Sequence, residues 1–479
     1  MKFIYKGKTY WTLIPLLLIF LVIGLEFYTT FELDIIYYKL EGTLTYNLFL
    51  AAVFCLPLLL LPFFAHWKKQ LFHKKLLLVG LSVFLIAMNF RLQQAFQISV
   101  LFSITVIIYF IFEKKIYRPN LFYVLLFLYF VLEAVSLLWS SNVSLGLSYL
   151  MKLSPLAFVP LLFCFFKLSK KDFNMIALFL FRFSMIFAFI SVCSWIIESR
   201  FLNFPIEKSL AAKKYLIDIY PSYDVVYAWT NKEHPTYNAI LLLFSLSIGW
   251  YYIFKKGVED NIGYLEFAFM FFSTFLLAII TASRFMFVLW VIVNIVGLLL
   301  SLRKNKKVFL VISSVFIVSG ISLLGSFPEK LLSFINDPVR ACHYAAAFQS
   351  IEENPWLGTG VGGMTKYINI NNPVYAPLNL RSDDLFNHIH PHNQFVGDMM
   401  QTGVLGLILI IFIMGFLFYA SIKYRNWLLL INSLMFLLLM NIEMPLMYTS
   451  GIFTFTLIFT FLTKIEPKST IMYDFNKKK

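Results

Sequence analysis

Three histidines alternate in the stretch His388-Ile-His390-Pro-His392-Asn393, and in an extended segment that spacing turns all three to one face. Two chemistries suit such a row. Zinc takes imidazole nitrogens in a set completed by a carboxylate, and Asp383 and Asp384 are near enough in sequence to supply one, although Pro391 interrupts the row. A single histidine can instead serve as a general base, because its unperturbed pKa of about 6.5 suits proton transfer near neutral pH. The plain alternative is a set of loop histidines satisfied by water.

Two arginines stand out beside them. Arg284 interrupts two apolar runs in Thr281-Ala-Ser283-Arg284-Phe, and an ionisable residue at such depth is costly enough to be a functional candidate by default. Arg340 lies in Asp337-Pro-Val-Arg340. There Asp337 can cap a helix whose first position is Pro338, so that Arg340 sits in the first turn, where backbone N–H groups already favour an anion. Each guanidinium can donate a bidentate pair, which suits a diphosphate. The alternatives are a snorkelling arginine for Arg284 and a salt bridge from Arg340 to Asp337 or Glu353. His234, in Lys232-Glu-His-Pro-Thr-Tyr237, is a further candidate. Glu443, in Asn441-Ile-Glu-Met-Pro445, is a weaker one, read first as capping or packing.

Gly358-Thr-Gly360-Val-Gly362-Gly363 satisfies G-x-G-x-x-G in form, but it follows a helical pattern instead of a strand, so a dinucleotide site is not expected. Glycines needed for positive φ in a turn account for it better.

Elements that could position these residues are almost all hydrophobic. Of 479 residues 60% are hydrophobic and 14% charged, and the mean hydropathy is +0.78. Since about 20 apolar residues span a bilayer core, the sequence predicts an all-α, polytopic helical membrane protein of about 12–14 spans. The apolar runs fall near 10–28, 44–64, 76–90, 97–112, 121–140, 145–166, 174–197, 236–254, 264–282, 285–302, 308–325, 394–420, 427–442 and 447–463. Three lysines precede the first run without a cleavage site after it, so it reads as an uncleaved span. Cys55, Cys164 and Cys193 lie within runs, and no disulfide framework is readable from these and Cys342.

A net charge of +15 is no sign of nucleic acid here, because the basic residues form short clusters between apolar runs, as the positive-inside rule places them. With Met1 cytoplasmic, those clusters share one side, and segments 198–235 and 326–392 fall on the far, periplasmic side. The expected organisation is residues 1–235 as amino-terminal spans, 236–464 as the region holding the large periplasmic loop 326–393, and 465–479 as a basic cytoplasmic tail. No internal repeat is visible, which weighs against transporters built from duplicated halves.

His392-Asn393 followed after nine residues by Gly403-Val-Leu-Gly406 resembles the signature of the O-antigen ligase and polymerase superfamily of the bacterial inner membrane. Ser283-Arg284, Arg340 and the 355–363 stretch resemble the same family in the same order. The resemblance covers roughly 230–450. It implies a multi-pass transferase that moves a glycan from an undecaprenyl-diphosphate-linked donor to an acceptor hydroxyl on lipopolysaccharide core, a growing polysaccharide or a protein, with membrane lipid as its surroundings. It further implies His392 as general base, Arg284 and Arg340 on the diphosphate, and neither metal nor nucleotide cofactor; His234, which opens a span from the other far-side loop, His390 and Asn393 are expected nearby on substrate. After Gly406, Leu407-Ile408 replace the two hydroxyl residues usual in the ligases, which leaves the acceptor class open. A flippase or transporter of lipid-linked glycans is the alternative, although among residues deep in apolar runs Lys152 and Arg182 are the main charges.

Overall fold

The computed structural model describes residues 65–90, 95–201, 235–253, 262–280, 284–302, 338–369, 371–378, 390–464 and 471–474. In chain order the helices are α1 (Phe72–Phe90), α2 (Ala95–Glu113), α3 (Leu121–Ser136), α4 (Val143–Leu153), α5 (Pro155–Phe163), α6 (Lys170–Phe201) and α7 (Pro235–Ile253). They continue with α8 (Tyr264–Ile280), α9 (Arg284–Leu302), α10 (Pro338–Glu353), α11 (Gln394–Lys423), α12 (Trp427–Ile442) and α13 (Thr449–Thr463). The fold is all-α apart from one addition, in which β1 (Lys115–Tyr117) pairs antiparallel with β2 (Ile471–Asp474), inside the stretch expected to be a plain tail.

Most described helices coincide with the apolar runs to within a few residues. Leu121–Trp139, Val143–Phe163 and Gln394–Lys423 are long and apolar enough to cross a membrane. Along α11, Leu405, Ile408, Ile411 and Phe412 stand exposed at helical spacing, a stripe that water would not tolerate and a lipid tail would. The fold is thus that of a polytopic helical membrane protein. The runs 10–28, 44–64 and 308–325 lie outside the described residues.

Two compact units interleave along the chain, one of residues 1–102 and 171–297, the other of 103–170 and 298–479. In the first, apolar helices are joined by buried polar pairs: Arg182 Nε donates to Glu266 Oε1 at 3.0 Å, Trp250 Nε1 to Asn294 Oδ1 at 2.8 Å, and Ser245 Oγ to Ser184 Oγ at 2.7 Å. Such bonds bind helices where no hydrophobic force acts between them.

In the second unit, α11 is broken at Gly403, whose φ of 66° and ψ of −157° suit glycine and almost no other residue. The break frees two carbonyls. Met400 O accepts the Thr359 N–H at 2.8 Å and Gln401 O the Gly360 N–H at 2.9 Å, while Val404 N–H turns to Pro355 O at 3.0 Å. The glycine loop is therefore spliced into a helix break, and its other side is held by Ser136 Oγ, which accepts the Val361 N–H at 2.9 Å, and by Ser140 Oγ, which donates to Val361 O at 2.6 Å. Gly360, at φ +77°, has no room for a Cβ, which would meet Ser136 O at 2.6 Å. The G-x-G-x-x-G pattern thus serves close backbone approach and not phosphate binding.

Gly403→Ala should be strongly destabilising. Its Cβ would fall 2.2 Å from Trp356 O, and the conformation itself costs about 1–3 kcal/mol for a residue with a side chain. A thermal melt of the purified variant should show a clear loss of stability. An unchanged midpoint would mean that the helix break is not required.

Candidate functional site

The polar loop delivers its chemistry through α10. Pro338 occupies its first position, as the sequence implies, and it stops at Glu353 before Asn354-Pro355. His343, Ala346, Ala347 and Ser350 form its buried face, which packs with Met364, Tyr367, Tyr375, Met400 and Met444 into a small core beneath the loop. Arg340 lies one turn before His343 and reaches the end of α12.

Glu443 is the centre of the arrangement. It ends α12 in extended conformation (φ −142°, ψ 170°) and is 6% exposed. A carboxylate at a helix C-terminus is disfavoured by the dipole, and a buried one needs partners, so capping or packing does not explain it. Its partners do. Glu443 Oε2 lies 3.1 Å from His392 Nδ1, and Oε1 lies 3.5 Å from Arg340 Nη2. Arg340 Nη1 also donates to the α12 carbonyl of Ile442 at 3.4 Å. Both arginine contacts are long for charge-assisted bonds, which run to about 2.7–2.9 Å.

His392 has φ +52°, an uncommon conformation for a side-chain-bearing residue and one found more often at functional positions. Its backbone N–H donates to His390 Nδ1 at 3.2 Å. That nitrogen must carry a lone pair, so His390 is neutral with its proton on Nε2, which faces Tyr448 Oη at 2.5 Å. Burial, the Glu443 charge and Tyr149 raise the Tyr448 phenol above its ordinary pKa, keeping it neutral. On the other side His343 Nδ1 is 2.7 Å from Tyr375 Oη, and the His343 and His392 rings are 5.8 Å apart. Burial pushes the Tyr375 phenol up as well.

Asn393 is the N-cap of α11: its Oδ1 accepts the Val396 N–H at 3.1 Å, and its Nδ2 donates to Asn441 O at 3.3 Å. Arg284 opens α9 in the other unit, and its side chain lies outside the described residues, as do His234, His388, Asp337, Asp383 and Asp384. The structure thus brings together Arg340, His390, His392 and Asn393. It joins the weaker candidate Glu443 to Arg340 and His392, and it adds Tyr448, His343 and Tyr375 as neighbours, none of the last three marked by spacing in the sequence.

His390, His392 and Glu443 offer ligand atoms all within 4.8 Å of one another, a set that zinc can use. Both ring nitrogens of His390 are engaged, however, one by the His392 N–H and the other by Tyr448, so a metal would have to break one of those hydrogen bonds and the His392–Glu443 pair. With Nδ1 at a carboxylate, His392 instead has the pairing of a histidine held for general-base work.

No curated protein matches the chain. A model of the O-antigen ligase family matches residues 269–411, a stretch that includes Arg284, Arg340, the glycine loop, His390 and His392 and stops short of Glu443 and Tyr448. The match spans under a third of the chain; that part is similar to the O-antigen ligase family, which supports an enzyme of ligase type in general, in a helical membrane protein.

Proposed function

We propose that the protein transfers a glycan from undecaprenyl diphosphate to an acceptor hydroxyl at the periplasmic face of the bacterial inner membrane, with His392 as general base. The observation that carries this reading is the His392 Nδ1 to Glu443 Oε2 contact of 3.1 Å. His392 Nε2 takes the hydroxyl proton as the acceptor oxygen attacks the anomeric carbon of the donor sugar. The bond from that carbon to the diphosphate oxygen breaks, and undecaprenyl diphosphate leaves. Glu443 stabilises the imidazolium that forms. The negative charge gathering on the leaving group is met by Arg340, which stands beside Glu443, and, on the family resemblance alone, by Arg284. His234 is assigned to substrate binding from its place in the sequence, at the opening of a span from the other far-side loop.

The two deep basic residues that a lipid-glycan transporter could turn to a cavity are both engaged. Arg182 is bonded to Glu266 inside its unit, and the Lys152 ammonium lies over the Tyr149 ring at 5.1 Å. The test is transfer in vitro from a purified lipid-linked oligosaccharide offered lipid A core, polysaccharide and peptide acceptors in parallel. One acceptor should gain glycan as an equal amount of free undecaprenyl diphosphate appears, and no transfer to any of them would contradict the reading. In intact cells, Asn371→Cys, on the exposed part of the loop, should react with an impermeant thiol reagent. Labelling only after inner-membrane lysis would reverse the orientation.

A further inference from the structure

One turn into α11 from Gln394, a cavity of about 10 Å³ is enclosed within the second unit, lined in part by Tyr129, Glu133, Tyr149, Asp398, Gln401 and Met444. Glu133 is 2% exposed and Asp398 1%. Asp398 Oδ1 accepts hydrogen bonds from Tyr129 Oη and Gln394 Nε2, each at 2.7 Å. Its other oxygen, Oδ2, and Glu133 Oε2 have no hydrogen-bond partner. Two carboxylates so deep in apolar helices are costly unless something positive joins them, and none of the side chains lining the cavity is basic.

We propose that Glu133 and Asp398 bind one small monovalent cation, of sodium size, between α3 and α11. The polar donors there are oxygens, namely the two orphan carboxylate oxygens, the Tyr129 phenol and the Gln401 amide, beside the thioethers of Met444 and Met447. Such a set selects hard cations. Magnesium keeps several of its waters and calcium takes six to eight oxygens, and a cavity with room for about one water suits neither. A dehydrated monovalent ion fits the space and the donors. It would tie α3 to α11 just below Asn393 and His392, and so hold the helix start that presents the proposed base. The site stands independently of the transfer reaction.

The test uses the purified full chain in nanodiscs, melted in choline chloride exchanged stepwise for sodium chloride at fixed ionic strength, with binding of radioactive sodium measured alongside. The melting temperature should rise saturably with sodium, more than with potassium, and about one ion should bind per chain. Both effects should vanish in Glu133→Gln and Asp398→Asn. Identical melting in choline and sodium would overturn the proposal, as would undiminished sodium binding in both variants. A melting temperature that follows pH alone would mean that the pair holds a proton instead, which also overturns it. Should either variant fail to fold, the native chain still decides, because absence of saturable sodium binding there contradicts the site.

Discussion

His392→Ala should lower glycan transfer by about 100- to 10,000-fold, the usual contribution of a general base, while leaving binding of the lipid-linked donor largely intact. The split follows from the proposed roles: His392 would take the acceptor's proton, whereas the arginines would hold the diphosphate. His390→Ala should be milder, because His390 acts through His392, accepting the backbone N–H that helps hold the φ of +52°. His388→Ala should be milder still. A chelator should leave all these rates unchanged. The zinc alternative predicts equal damage from all three alanines, activity lost on chelation and activity restored by metal; that pattern would sink the metal-free mechanism.

Arg340→Lys and Arg284→Lys should each lose about 30- to 1000-fold despite keeping the charge, the equivalent of about 2–4 kcal/mol of transition-state stabilisation. An ammonium cannot offer the planar fork that grips two diphosphate oxygens. Arg340→Lys also weakens the contact to Glu443, so its variant should be assayed at saturating donor as well as at low donor. Near-normal turnover in both variants would remove the arginines from the site.

Much of this molecule is legible in the sequence, for a physical reason. Apolar runs of bilayer length declare helices whatever their neighbours, so α11, α12 and α13 begin and end within a few residues of the runs 394–420, 427–442 and 447–463. Pro338 and Asn354-Pro355 likewise bracket α10 through local backbone chemistry. The family motif is legible too, and the structure gives Gly403 its reason as the break that admits the glycine loop. What local pattern could not reveal is partnership. Glu443 lies 51 residues beyond His392, and nothing in Asn441-Ile-Glu-Met-Pro445 announces that it meets both Arg340 and His392. The one available signal was an acid where the helix dipole disfavours it. Glu133 and Asp398 were hidden in the same way, each a single acid in its helix until the fold places both on one cavity. β1 and β2 pair across more than 350 residues, beyond the reach of any periodicity.

His392 and Glu443 should work as one unit, and a double-variant cycle on single-turnover transfer decides whether they do. Glu443→Gln alone should slow the chemical step, since the amide can no longer hold the imidazole's tautomer or offset its charge. If the carboxylate acts through the histidine, His392→Ala with Glu443→Gln should be no slower than His392→Ala alone. Losses that multiply, leaving the double variant slower than His392→Ala by the full Glu443→Gln factor, would contradict the dyad and return Glu443 to an independent role.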